Sequence, residues 1–364
     1  MSDQDQSLAD NGDEAAAAGL LYVNDAAPGI RRRRAGTNFR YVSVDGSAIR
    51  DDKTLGRIRA LAIPPAYTDV WICASPRGHL QATGRDARGR KQYRYHPRWQ
   101  TVRGEGKFER IITFGGALPT LRRRLRADLK RRGLPREKVV AIVVALMAES
   151  LARVGNDEYA RTNHSYGLTT LRSRHVAFLR GGRAQFKFRG KGGKAQEIAV
   201  DDARLVKLVR ACQELPGQVL FQYKDPEGRI QPVDSDAVNA YLRVAMGESY
   251  TAKDFRTWGA TLHAFRLFAA TPLPEPDADG HTSERAFASS EAEVVKQVAQ
   301  VLGNTPAVCR KSYIDPAIFD AWRNGDLQRA SGKARGSRQW EQAALKLLKR
   351  ARRQAARPGR KRGK

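Results

Sequence analysis

The chain has 364 residues, 41% of them hydrophobic, more than one ordinary core requires, and this predicts two domains plus tails. Its 66 Lys and Arg against 38 Asp and Glu leave a net charge of +28, which repels itself in a compact state unless a polyanion sits against it. The longest apolar run, Val139 to Met147, is far short of the roughly 20 residues of a membrane span, and Cys73, Cys212 and Cys309 have neither disulfide nor metal-ligand spacing.

Residues 1–20 carry five acids, no basic residue and a run of alanines, and are expected to be a disordered acidic tail without the features of a signal peptide. From 21 to 103 the texture is strand and turn: "FRYVSV", "DVWICA", "HLQATG" and "KQYRYH" are β-prone pieces separated by Gly, Pro and Asp. The segment Thr101–Arg110 lacks apolar periodicity and reads as a linker. Beyond it, Leu121, Leu125 and Leu129 fall four apart on one stripe, with seven Arg or Lys among residues 122–132 on the other faces. "REKVVAIVVALMAESLARVGN" is apolar nearly all round and predicts a buried central helix, with Gly155-Asn156 as its C-cap. In "RAQFKFRGKGGKAQEIAV", Phe186 and Phe188 alternate with Lys187 and Arg189 before a Gly-rich turn, which predicts a hairpin. Helices are expected again at Asp201–Leu215, Ser235–Met246, Ala252–Ala270 and Glu284–Leu302. Residues 331–364, with thirteen basic residues and one acid, are expected to be an extended or marginally helical cationic arm. The fold class predicted is α+β, with a small β-rich domain over 21–103, a larger mainly helical domain with a β-hairpin over 104–330, and a basic flexible tail over 331–364.

The charge excess points to nucleic acid as partner, because neutralised phosphates release counterions. A membrane surface fits less well, since no basic amphipathic helix with a Trp/Phe face appears. The chain has no Walker loop, no GxGxxG, no HExxH and no carboxylate series of a magnesium nuclease. It does have cations in unusual company. Arg153 is expected to close the apolar helix, Lys191 sits at the hairpin tip, Arg256 lies amid Phe255, Trp258 and Leu262, and Tyr313 stands in "RKSYIDP" near Arg310 and Lys311. Each has an ordinary reading: helix-dipole partner, solvated lysine, salt bridge, half-buried aromatic. Together they suggest phosphoryl transfer without metal. Two guanidinium forks would neutralise the phosphodiester transition state, a tyrosine phenolate would attack, and a lysine would protonate the departing oxygen.

These blocks resemble the type IB DNA topoisomerases, in particular the compact poxvirus-like bacterial form. The resemblance is carried by "IPPAYTDVWICASPRGHLQATGRDARGRKQYRYH", "RVGNDEYARTNHSYGLTTLRSRHV", "FKFRGKGGK", "KDFRTWGATL" and "GNTPAVCRKSYIDP", five blocks in order over about Leu21 to Asp326. It implies that Tyr313 forms a 3′-phosphotyrosine with duplex DNA, Arg153 and Arg256 clamp the scissile phosphate, Lys191 protonates the leaving 5′ oxygen, and Lys253 assists. Asn304, nine residues before the tyrosine, stands where many members carry a histidine; an amide can donate the same hydrogen bond but cannot become cationic. Gln92, Tyr93 and Tyr95 match a strand laid in the major groove, and Tyr159 a backbone contact. The family architecture is a C-shaped clamp around duplex DNA.

The expectations that follow are relaxation of supercoils without ATP, metal or other cofactor, by a monomer in a bacterial cytoplasm associated with the nucleoid. Two other readings share part of the pattern. A tyrosine recombinase shares the nucleophile and arginine pair but typically has a histidine where Lys253 stands. A DNA-packaging protein would share only the charge.

Overall fold

The computed structural model describes residues 12–87, 89–247, 250–276, 281–332 and 334–356, apart from the side chains of Arg103 and Glu105. It divides into two compact units, Met1–Phe108 and Glu109–Lys364.

In the first unit, residues 12–17 lie in a short helix, α1. Ala15 and Leu20 are buried with Trp99, so this described part of the acidic segment is packed and not a disordered tail; residues 1–11 lie outside the described ones. An antiparallel sheet follows: β1 (Ile30–Ala35), β2 (Asn38–Val42), β3 (Thr68–Ile72), β4 (Leu80–Arg85) and β5 (Lys91–Tyr95), in the order β2-β1-β3-β4-β5. Helix α2 (Asp52–Ala60), N-capped by Asp51, adds Ile58 to the core of Ile30, Val70, Ile72 and Ala82. Trp71, Cys73 and Leu80 pack with Val23 in a second cluster.

The segment expected as a linker, Thr101–Arg110, is helical: it lies inside α3 (Pro97–Asp128). Phe108, Ile111, Ile112 and Phe114 are buried there, and this burial outweighs the low propensity of Gly104 and Gly106. Leu121 and Leu125 are buried as the stripe predicts.

The second unit is built on α4 (Arg136–Ser150), whose residues 139–144, Leu146 and Met147 are all buried. A short helix, α5 (Asp157–Asn163), comes next, then the sheet β6 (Val176–Leu179), β7 (Arg183–Arg189) and β8 (Ala195–Val200), in which Phe186 and Phe188 point inward. After α6 (Ala203–Gln213), a two-stranded ribbon pairs β9 (Gln222–Lys224) with β10 (Ile230–Pro232). Helices α7 (Ser235–Met246), α8 (Ala252–Ala270) and α9 (Glu284–Leu302) have the predicted bounds. Two short helices, α10 (Pro306–Ser312) and α11 (Pro316–Arg323), flank Tyr313, and α12 (Asp326–Ser331) and α13 (Ser337–Ala355) follow.

The arm expected to be extended or marginally helical is, over Ser337–Ala355, a docked helix. In α13, Ala344, Leu347 and Leu348 are buried, Trp340 meets Phe265 edge-on, and Glu341 accepts a bidentate pair from Arg122. Basic residues dominate the composition, and those of α13, apart from Arg352, are exposed on the outer face; an apolar stripe at helical spacing docks the inner one. Residues 357–364 of the expected tail lie outside the described ones. Among the described residues no helix is long and apolar enough to cross a membrane.

Candidate active site

The centre of the site is Arg256, on the inner face of α8 and only 5% exposed. Burying a guanidinium is costly unless its donors are satisfied. Its Nη1 donates to the carbonyl of Leu151, and its Nη2 to the carbonyl of Leu302 at 2.7 Å. These carbonyls belong to two helix C-termini. Leu151 caps α4 in the left-handed region (φ 55), and Leu302 is the last residue of α9, which Gly303 (φ 63) closes. One cation therefore ties together two ends whose terminal carbonyls lack intrahelical partners and favour positive charge.

Two residues beyond each of those carbonyls stand Arg153 and Asn304, and the tie brings them together. Arg153 Nη2 donates to Asn304 Oδ1 at 2.8 Å, while Asn304 Nδ2 is buried without a hydrogen-bond partner. Helix α4 ends at Ser150, so Arg153 does not close it as expected, and Gly155 is not its cap. Where the chain leaves the helix, the Leu151 side chain packs against α8 at Gly259, where a Cβ would lie 2.3 Å from Leu151 Cδ2. Arg153 is then held in an extended stretch: its carbonyl accepts from Leu168 N (2.9 Å) and that of Val154 from Thr169 N (2.7 Å). Gly167 permits this pairing, since a Cβ there would lie 2.5 Å from Gly155 N and 2.7 Å from the Arg153 carbonyl oxygen.

Tyr313 is half-buried at the C-terminus of α10, its N–H donating to the Cys309 carbonyl at 2.9 Å. Thr261, five residues after Arg256 on α8 and fully buried, fixes the nearby backbone. Its hydroxyl donates to the Tyr313 carbonyl at 3.1 Å and accepts from Asp315 N at 3.1 Å. The Arg256 guanidinium carbon lies 5.4 Å from the centre of the Tyr313 ring. Burial alone would raise the Tyr313 phenol. The charges of Arg256 and Arg153, a hydrogen bond from Arg256 and the charge of Lys253 outweigh it and hold the phenol below its ordinary value. Arg256 is itself pushed down to about 10, by burial first and by repulsion from Arg153 second, and remains a cation at neutral pH.

Arg310, in the same stretch as the tyrosine, has a structural partner. Glu291 of α9, 1% exposed, accepts from Arg310 Nη2 and from Arg323 Nε, each at 2.6 Å, strapping α10 and α11 to α9 on both sides of Tyr313.

Lys253 is exposed in the first turn of α8 and acts on Tyr313 through charge alone. Lys191 is exposed at the tip of the β7–β8 hairpin, where Gly192 and Gly193 take positive φ. Among the described residues it makes no hydrogen bond or ion pair with the other site residues. The structure therefore brings together Arg153, Arg256, Asn304 and Tyr313, with Lys253 at longer range, and leaves Lys191 on its hairpin. Tyr159 is 43% exposed on α5, which Asn156 caps just beyond Gly155.

In the first unit, Lys91, Tyr93 and Tyr95 are exposed together along the edge strand β5. The two phenol rings stack at 6.0 Å and 7°, and Lys91 Nζ lies 5.7 Å over the Tyr93 ring. Gln92 is not on that face: strand alternation turns it to the opposite side, where its Nε2 donates to Asp86 at 3.1 Å.

Sequence reasoning missed Thr261, Glu291 and Asp315. Only Asp315 had a local signal, an Asp before Pro that marks a helix start. Among the described residues no group of three or more His, Cys, Asp or Glu could hold a metal ion.

With this geometry in view, comparison with known proteins gives a consistent result. Residues 96–324 match the family model described as "Eukaryotic DNA topoisomerase I, catalytic core", and residues 38–86 match "Bacterial DNA topoisomerase IB, N-terminal domain". The chain is 31% identical over 300 residues to the DNA topoisomerase 1B of Acanthamoeba polyphaga mimivirus, covering 81% of this chain and 88% of the viral protein. It is 24% identical over 281 residues to the DNA topoisomerase 1B of Vaccinia virus (strain Copenhagen), covering 72% and 80%. A small β-sheet unit, a larger helical unit and matches in both define an enzyme of DNA topology. The chain belongs to the type IB DNA topoisomerases, in their compact poxvirus-like form, and relaxes supercoiled DNA.

Proposed function

We propose that Tyr313 is the nucleophile of this enzyme. Its phenolate oxygen attacks a backbone phosphorus of duplex DNA, the P–O5′ bond breaks, and the DNA 3′ end is left on the tyrosine. Arg153 and Arg256 face the non-bridging oxygens, and Asn304 Nδ2 donates to one of them. Lys253 adds charge, and Lys191, carried inward by its glycine-flanked hairpin tip, gives its proton to the departing 5′ oxygen. The free end swivels, the 5′ hydroxyl returns its proton to Lys191 and attacks the phosphotyrosine, and the phenolate leaves. The covalent link conserves the energy of the broken bond, so religation needs no ATP. The guanidinium pair supplies positive charge that a divalent ion would otherwise bring. Tyr93 and Tyr95 contact the major groove from the exposed face of β5, Gln92 supports that strand from its other face through Asp86, and Tyr159 contacts the backbone. The protein acts as a monomer that clamps duplex DNA, in a bacterial cytoplasm at the nucleoid, with a β-rich arm over 21–103 and a catalytic region over 104–330.

One observation carries the reading: a tyrosine whose phenol is held below its ordinary value by two guanidinium groups, beside an amide donor with no partner of its own. The test is relaxation of supercoiled plasmid in EDTA without nucleotide. Wild-type protein is expected to give a ladder of relaxed topoisomers. Tyr313→Phe is expected to bind duplex with nearly unchanged affinity and to relax nothing; relaxation by that variant removes the assignment.

A further inference from the structure

The C-terminal helix α13 reaches the loop that carries Tyr313. Asp315, two residues after the tyrosine, has no exposed surface. Its Oδ1 caps α11 by accepting from Ala317 N at 2.9 Å, and its Oδ2 accepts from Arg352 Nη2 at 2.7 Å, across 37 residues of sequence. Its N–H donates to the Thr261 hydroxyl that also holds the Tyr313 carbonyl. The segment 313–315 is thus fixed from α8 by a hydroxyl and from α13 by a guanidinium. A buried carboxylate keeps its charge and its place only while a cation accompanies it.

We propose that Arg352 is a positioning residue for Tyr313: it holds the Asp315 carboxylate, and through that segment it sets the phenol against Arg256 and Arg153. This rests on the reading of Tyr313 as nucleophile. Docking of α13 does not depend on the contact, because Ala344, Leu347 and Leu348, the Trp340–Phe265 pair and the Arg122–Glu341 pair hold the helix elsewhere. Arg352 also pairs with Glu109 of α3, which orients the guanidinium from its other side. Removing the cation leaves Asp315 buried beside Glu109, and burial already pushes its carboxyl up. The segment then loosens, and the fraction of time the phenol spends against the guanidinium pair falls.

The experiment uses full-length protein in excess over labelled supercoiled plasmid, quenched with detergent at successive times. It separates the rate constant of covalent adduct formation from its amplitude, with duplex affinity and Tm measured in parallel. For Arg352→Gln the rate constant is expected to fall tenfold or more with duplex Kd unchanged, Arg352→Lys is expected to recover most of it, and Asp315→Asn is expected to match Arg352→Gln. A role confined to stability would lower Tm and amplitude but leave the rate constant at the wild-type value in Arg352→Gln and Asp315→Asn; that result overturns the inference. Tyr313→Phe is run alongside. An adduct that survives in it refutes the nucleophile itself, an outcome distinct from failure of Arg352.

Discussion

Arg256 serves two ends with one side chain. It closes two helices through their last carbonyls, and in doing so it sets Arg153, Asn304 and Tyr313 around itself. Lys253 is a cleaner probe of the electrostatics because it is exposed and bonds nothing in the core. Its charge lowers the Tyr313 phenol, so the rise of cleavage rate with pH should begin below the ordinary tyrosine value of about 10. In Lys253→Ala that rise should move to higher pH, and in Lys253→Arg it should stay in place. A rapid-quench pH profile checks this, and an unshifted Lys253→Ala profile would separate the lysine from the phenol. The residues the structure gathers, Arg153, Arg256, Asn304 and Tyr313, were legible in the sequence because each lies in a short local pattern. Thr261 and Glu291 were not: a hydroxyl and a carboxylate that hold backbone or arginines from other helices acquire their roles only when folding brings those segments together. Gln92 shows the limit within one strand. The residue pattern named it with Tyr93 and Tyr95, but alternation of side chains separates it from them.

At the scale of elements, the early end of α4 matters most. It frees Arg153 to run beside the segment at Gly167, and the contact there is backbone against backbone. A methyl group at Gly167 has no flexible neighbour to displace. Gly167→Ala should therefore cost about 1–3 kcal/mol of stability and should depress cleavage while sparing DNA binding; chemical denaturation and adduct yield check the two halves. The errors of sequence reading share a cause. The run Arg31–Arg34 hid strand β1 because its residues do not alternate in polarity, although pairing with β2 and β3 orders it. Two glycines suggested a linker where buried aromatics and isoleucines sustain α3, and thirteen basic residues obscured the Leu347–Leu348 stripe that docks α13. Composition was weighed where spacing decides. Where spacing was strong, as in α7, α8 and α9, the predicted bounds hold.

For the whole molecule the governing number is the charge of +28. Duplex affinity should fall steeply with salt. With six or so phosphates neutralised, the loss is on the order of 10³-fold between about 50 and 200 mM, read as a linear log–log plot by fluorescence anisotropy. A shallow slope would mean that the excess charge serves something other than the DNA backbone. The measurement that bears most directly on the central claim is the chemical identity of the covalent link. Protein trapped on plasmid by detergent in EDTA is digested with trypsin and nuclease, and the modified peptide is sequenced by mass spectrometry. The account predicts a nucleotide on Tyr313, within the peptide Ser312–Arg323, joined through its 3′ phosphate. A link through another residue, or an adduct that persists in Tyr313→Phe, would contradict it.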